Sequence, residues 1–322
     1  MVESVIFIAV LIVGIIGITY FSRLAVTHAA SLASRLGISS LVIGITLVSI
    51  GTDIAEIFNS IIACSIGHGD IDVGDSVGSS LTQLTLVFGL LPIICGNFIV
   101  KRKEFLIIGS CLVLSLTLIF TVVEKGYFTR LDALFMMSSF IFYTMITYNV
   151  TKSDLLETVD LFIEKAKDKK KNTQHFLIIA SLAFIGVAIS SFFIIQSIIG
   201  LSKHINLPEF VLSFLLLAVG TSLPELAVDI TAIRKKQYDI AIGDIIGSCI
   251  VDSTISIAIG QFLFPQTVSA ALAVPAILYT IIVSIIVIIL VSSRQKMDKK
   301  AGIILIMLYL GAFPFLLGIA YQ

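Results

Sequence analysis

The chain has 322 residues, of which 57% are apolar and only 13% charged, with a mean hydropathy of +1.09. Soluble domains carry about a quarter charged residues. Apolar runs of roughly 18 or more residues recur along the whole length, so the chain reads as an α-helical polytopic membrane protein; its runs are too long for barrel strands and leave no room for a separate soluble domain. A net charge of zero excludes nothing about partners, and nothing in the chain points to nucleic acid.

In chain order, hydropathy predicts spans near 3–22, 38–66, 72–96, 104–123, 131–149, 175–200, 208–233, 239–262, 270–291 and 301–320. The first apolar run lacks a basic leader and meets its first positive charge only at Arg23, as a retained span does. Of 21 Lys and Arg, only Lys125, Arg130 and Lys203 fall on one side of the ten spans. The basic clusters at 101–103, 165–171, 234–236 and 294–300 all fall on the other, so the expectation is cytoplasmic basic loops, both termini outside and residence in the plasma membrane. Four cysteines, Cys64, Cys95, Cys111 and Cys249, lie in or beside apolar segments without ligand spacing and are expected to be packing residues. His68 is expected in a solvated outer loop.

A shift of 169 residues aligns Gly51, Thr52, Glu56, Asp70, Gly74, Asp75, Gly78 and Ser79 with Gly220, Thr221, Glu225, Asp239, Gly243, Asp244, Gly247 and Ser248 without a gap. The loops at these places differ in character, "GHGDID" against "RKKQYD", as two copies inserted upside down require. The expected organisation is a first five-helix repeat over 1–150, with its motif at about 40–89, and a basic cytoplasmic loop over 151–174. A second, inverted repeat follows over 175–322, with its motif at about 209–260. Inverted repeats with interrupted helices in matching positions point to a transport site at the repeat interface near the bilayer midplane.

Acids are expensive at that depth. Thr52 and Glu56 share a helix face, with Asp53 beside them, and Thr221, Ser222 and Glu225 repeat the arrangement. Asp75, Ser79 and Gln83 form one stripe at four-residue spacing; Asp244, Ser248 and Asp252 form its counterpart. The glycine before each threonine, and Pro224 in the second copy, loosen the helix. Gly74, Gly78, Gly243 and Gly247 suit close helix approach. Carboxylate, hydroxyl, amide and carbonyl oxygens without sulfur or imidazole suit Ca²⁺, Na⁺ or Mg²⁺ over Zn²⁺ or Cu²⁺. Asp75 and Asp244 sit near span starts, where a capping or vestibule role is expected, and Asp53 is balanced between ligand and packing residue.

The segments "LGISSLVIGITLVSIGTDIAE" and "VLSFLLLAVGTSLPELAVD", each followed by "GD..GS", resemble the two α-repeats of the calcium/cation antiporter superfamily, in particular its sodium/calcium exchanger branch. The resemblance implies that Glu56 and Glu225 are the central divalent-ion ligands and that Thr52 and Thr221 add carbonyls. It places Ser222, Ser79, Ser248 and Asp252 at flanking Na⁺ sites and the middle of the cluster, and makes spans 1 and 6 a sliding gate. The transported ions would be Ca²⁺ and Na⁺, with no cofactor and no obligate protein partner beyond the lipid bilayer. Departures from the family pattern are Asp53 for Ser, Ala55 for Pro, Gln83 for Asn, and Asp75 and Asp244 for Asn. They leave H⁺-coupled exchange of Ca²⁺ or Mg²⁺ open. A cation channel fits two unlike half-sites poorly. An intramembrane aspartyl protease would need the acids of "QYDIAIGD" on separate helices, and they lie in one stretch.

Overall fold

In the computed structural model, residues 2–35, 53–146 and 173–321 are described. Gly51, Thr52, most of the second predicted span and the basic loop around Lys165–Lys171 lie outside them. The described chain is almost wholly helical. Its helices are α1 (Val2–Arg35), α2 (Ile54–Ser65), α3 (Gly69–Ile94), α4 (Arg102–Val123), α5 (130–146), α6 (Thr173–Ile205), α7 (209–221), α8 (Leu223–Arg234), α9 (Tyr238–Leu263), α10 (Ala270–Arg294) and α11 (Lys299–Ala320). Counting α7 and α8 as one interrupted span, eight of the described segments are long and apolar enough to cross a membrane. Two short strands, β1 (Phe98–Ile99) and β2 (Lys296–Met297), pair antiparallel at the end of the bundle that carries Lys101 and Arg294.

Several element boundaries recur at the 169-residue shift found in the sequence. α2 starts at Ile54 and α8 at Leu223, and both run twelve residues. α3 and α9 each consist of a fourteen-residue α-helical stretch, a five-residue π-helical turn (Gln83–Val87; Asp252–Ser256) and a final seven-residue α-helical stretch. The copies meet reciprocally. Ser80 Oγ donates to the Cys249 carbonyl at 3.3 Å, and Cys249 Sγ donates to the Ser80 carbonyl at 3.4 Å, between residues 169 apart. A reciprocal contact between matching positions is what a two-fold relation between the copies produces.

Polarity sorts the helices radially. α3 and α9, which carry the serine, threonine and acid stripes, are the most enclosed spans. The apolar residues left exposed lie on the outer helices, such as Val13 on α1, Leu131 and Phe135 on α5, and Ile289 on α10, as a lipid-facing belt requires. Two apolar clusters form. One joins α1 and α6 through Leu11, Ile18, Ile194 and Ile198, and rests on Ile54, Ala55 and Ala63 of α2 and Leu217 of α7. The other holds most of the remaining helices together. Glycines set the close approaches. A Cβ on Gly78 would stand 2.5 Å from the Phe214 carbonyl oxygen, and one on Gly74 would stand 2.7 Å from that of Phe210, so α3 and α7 touch backbone to backbone.

Candidate ion site

The site is built where one span is interrupted, between α7 and α8, and where α2 begins. In the second copy α7 ends at Thr221, Ser222 takes a non-helical backbone (φ −82°, ψ 3°), and α8 restarts at Leu223 with Pro224 in its first turn, where a missing N–H costs nothing. In the first copy Asp53 has nearly the same backbone (φ −85°, ψ 15°) and α2 begins at Ile54, with Ala55 in place of a proline. Each helix start puts a glutamate, Glu56 or Glu225, in a helical first turn, where unsatisfied N–H groups favour negative charge.

These two glutamates and Asp53 converge: one carboxylate oxygen from each lies within 4.8 Å of the others. All three are buried. Neither oxygen of Glu56 or of Glu225 has a hydrogen-bond donor. Asp252 is buried too, with neither oxygen met by a donor, and Asp53, Glu56 and Asp75 are the acids near enough to act on its charge. Uncompensated buried charge costs several kcal/mol per ion, and nearly all buried polar groups in proteins find partners. A buried cluster in which Glu56, Glu225 and Asp252 all lack donors is therefore a place for positive charge.

The remaining sequence-predicted residues surround it. Asp252 and Gln83 each begin a π-helical turn, a device that re-aims side chains and concentrates at functional sites. Gln83 Oε1 accepts from Cys249 Sγ at 3.4 Å, while its Nε2 has no acceptor. The Ser79 and Thr221 hydroxyls bond each other at 3.2 Å, and Ser222 Oγ donates to the Ala218 carbonyl at 2.8 Å. Ser248 is buried on α9 one turn before Asp252. Thr52 lies outside the described residues.

Two readings of the sequence need correction. Asp75 and Asp244 are not caps: α3 and α9 begin at Gly69 and Tyr238, with Asp70 and Asp239 in their first turns, so both acids sit well inside their helices. Asp75 instead anchors a network. It accepts from Asn59 Nδ2 at 2.9 Å and from Thr221 Oγ1 at 3.3 Å, and Asn59 Oδ1 accepts from Ser191 Oγ of α6 at 2.7 Å. His68 is not merely solvated, since its Nδ1 lies 2.6 Å from Glu209 Oε2 at the start of α7. The four cysteines are free, as expected, but Cys64 also donates to Asp72 at 3.3 Å, beside a bond from Gln261 Nε2 to the same oxygen at 2.7 Å. The sequence reading missed Asn59 and Asp229; the four-residue step from Glu225 to Asp229 was the available signal.

The apolar spans and the acids buried among them define the class as integral membrane transporters. The profile of the sodium/calcium exchanger protein family matches residues 6–149 and 175–318, and the chain belongs to that family, which is one of ion transporters and not of enzymes. It is 25% identical over 335 residues to the sodium/calcium exchanger MaX1 of Methanosarcina acetivorans, covering 93% of this chain and 95% of that protein. It is 27% identical over 265 residues to the inner membrane protein YrbG of Escherichia coli, covering 80% of each. A solved structure of the sodium-calcium exchanger NCX_Mj, soaked with Na⁺ and Sr²⁺, superposes with a TM-score of 0.59 at 23% identity over 97% of this chain and 99% of that one, a likeness of fold.

Proposed function

We propose that the protein exchanges a divalent cation, Ca²⁺, for Na⁺ by alternating access, with Glu56 and Glu225 as the central divalent ligands. The observation that carries this reading is the convergence of those two glutamates, from matching positions of the two copies, with no donor on any of their four oxygens. A stripped divalent ion needs anionic oxygen, and six to eight oxygens suit Ca²⁺. Asp53, Asp252, Gln83, Ser79, Ser248, Ser222, Thr221 and Thr52 supply the outer oxygens, and the flanking serines and Asp252 take Na⁺ when the divalent ion leaves. No cofactor enters the cycle. The separate apolar cluster joining α1 to α6 supports these two helices moving as one gate against the rest. The two halves lie inverted in the membrane, ten spans in all, with Arg234, Lys235 and Lys236 in the cytoplasm and both termini outside, in keeping with the positive-inside rule.

A second reading, H⁺-coupled exchange, is favoured by Asp53 standing with Glu56, Glu225 and Asp252 in one buried region, which sums to more negative charge than one divalent ion neutralises. Ca²⁺ uptake into proteoliposomes under an imposed Na⁺ gradient, against the same vesicles under an imposed H⁺ gradient, separates the two. Uptake driven by Na⁺ alone supports the proposal. Uptake driven by H⁺ alone replaces it with the second reading, and flux that needs no counter-ion makes the protein a channel.

A further inference from the structure

One buried acid pair stands outside the central cluster. Asp229 lies four residues beyond Glu225 on α8, and Asp244 lies four residues before Ser248 on α9. Each step is about one helical turn, roughly 5.4 Å, and both steps lead toward the turn that carries Arg234, Lys235 and Lys236. The Asp229 and Asp244 carboxyl groups lie against each other across α8 and α9. Asp229 is fully buried, and neither of its oxygens has a donor. Asp244 is half-buried, and its Oδ2 is enclosed without a donor. Among the described residues no ion pair involves either acid.

The first copy shows what a structural solution looks like. There Asp75, the counterpart of Asp244, is held by the Asn59 amide and the Thr221 hydroxyl. The counterpart of Asp229 is Ser60, whose hydroxyl accepts from the Gly260 N–H at 3.1 Å. The second copy replaces these neutral partners with a second carboxylate. Two carboxylates in contact repel unless one takes up a proton or a cation lies between them. Their formal charge of −2 matches one divalent ion, their oxygens are hard, and Asp244, unlike Asp229, is not wholly enclosed, which leaves water a way to complete the coordination.

We propose that Asp229 and Asp244 form a second divalent-cation station, one helical turn from the central cluster on the side of the basic turn, where the transported ion is held as it arrives or leaves. The proposal rests on the exchange reading above. It makes a continuous row of ligands: Glu225 and Ser248 at one level, Asp229 and Asp244 at the next. An ion released by the glutamates meets a compensating pair before it reaches bulk water.

The test is equilibrium binding of radiolabelled Ca²⁺ to the purified full chain in detergent. In a Glu56→Gln/Glu225→Gln background, one weaker site is expected to remain, and adding Asp229→Asn and Asp244→Asn is expected to weaken it at least about tenfold. In oriented, sealed proteoliposomes of the otherwise unaltered protein, the same Asn pair is expected to raise the half-saturating Ca²⁺ concentration for exchange about tenfold when Ca²⁺ is supplied on the basic-turn side and to leave it unchanged when Ca²⁺ is supplied on the opposite side. Gel filtration and helical circular dichroism check folding. If the Asn pair does not fold, Asp229→Ser, the residue type at the matching position, serves instead. No residual site in the Gln background overturns the proposal, as does a residual site indifferent to the Asn pair, equal effects from both sides, or a pair that exchanges protons with no Ca²⁺ bound. Failure of the central reading looks different: the Glu56→Gln/Glu225→Gln protein then binds Ca²⁺ as the unaltered protein does.

Discussion

Asn59→Asp tests the network that ties α2, α3 and α6 together behind the site. Asn59 Nδ2 donates to Asp75 Oδ2 at 2.9 Å, and the substitution turns that donor into a second carboxylate at the same distance. Two unit charges at that separation repel by about 6 kcal/mol at an effective dielectric of about 20. The penalty is capped by the cost of protonating one of them, which for an ordinary aspartate at pH 7 is about 4 kcal/mol, at about 1.4 kcal/mol for each pH unit. The cap is lower than the repulsion, so the cap decides. Asn59→Asp is therefore expected to lose about 4 kcal/mol at pH 7 and to recover about 1.4 kcal/mol for each unit of acidification, because the introduced carboxyl donates again once it is protonated. The exchange Asn59→Asp/Asp75→Asn restores one carboxylate and one amide, with Ser191 Oγ still meeting an acceptor, and should return to within about 1 kcal/mol of the parent. Reversible unfolding in mixed micelles at two pH values reads all three proteins. An Asn59→Asp protein as stable as the parent at pH 7, or an exchanged pair no better than the single variant, would refute the network.

Ser65 and Arg234 occupy matching exposed positions at the ends of α2 and α8. Single cysteines placed there, in a background without the native ones, should label from opposite faces of sealed cells, Ser65→Cys from outside; labelling from one face contradicts the inverted arrangement. Asp298 caps α11 by accepting from the Ala301 N–H at 2.9 Å, and that bond, together with Arg294, holds its carboxyl below the usual value of 3.8. A depressed folded value means its stabilising effect is whole above 3.8 and fades as pH falls through the lower folded value. Asp298→Ala should therefore be less stable than the parent at neutral pH and converge with it in acid, and a stability gap that widens on acidification would contradict the cap. Asp53→Ser removes one of three converging carboxylates and should shift the Na⁺ or pH dependence of divalent flux with little effect on folding; unchanged curves on both axes would make Asp53 a packing residue.

Much of this was legible in the sequence because membrane burial makes every acid conspicuous. Gly51, Thr52 and Glu56 matched Gly220, Thr221 and Glu225 without a gap, and α2 and α8 do begin at matching residues. Pro224 marked the break before α8 by its missing N–H. The π-helical turns at Gln83 and Asp252 were not legible, since a one-residue widening of a helix leaves the hydrophobic pattern almost unchanged. Nor was the different fate of two matching acids. Asp75 and Asp244 look alike along the chain, and only packing gives the first an amide partner from α2 and the second a carboxylate partner from α8. The apparent loop histidine, His68, finds Glu209 across 141 residues of sequence, a pairing no local pattern encodes.

The central claim is that Glu56 and Glu225 together hold the divalent ion. Radiolabelled Ca²⁺ uptake into Na⁺-loaded proteoliposomes, comparing the parent with Glu56→Gln and Glu225→Gln at equal incorporation, tests it most directly. An amide keeps the shape of the side chain and removes its charge, so each variant is expected to fold and to lose at least about a hundredfold in uptake, a barrier increase of about 2.7 kcal/mol or more. Uptake near the parent rate in both variants would show that the ion is carried elsewhere.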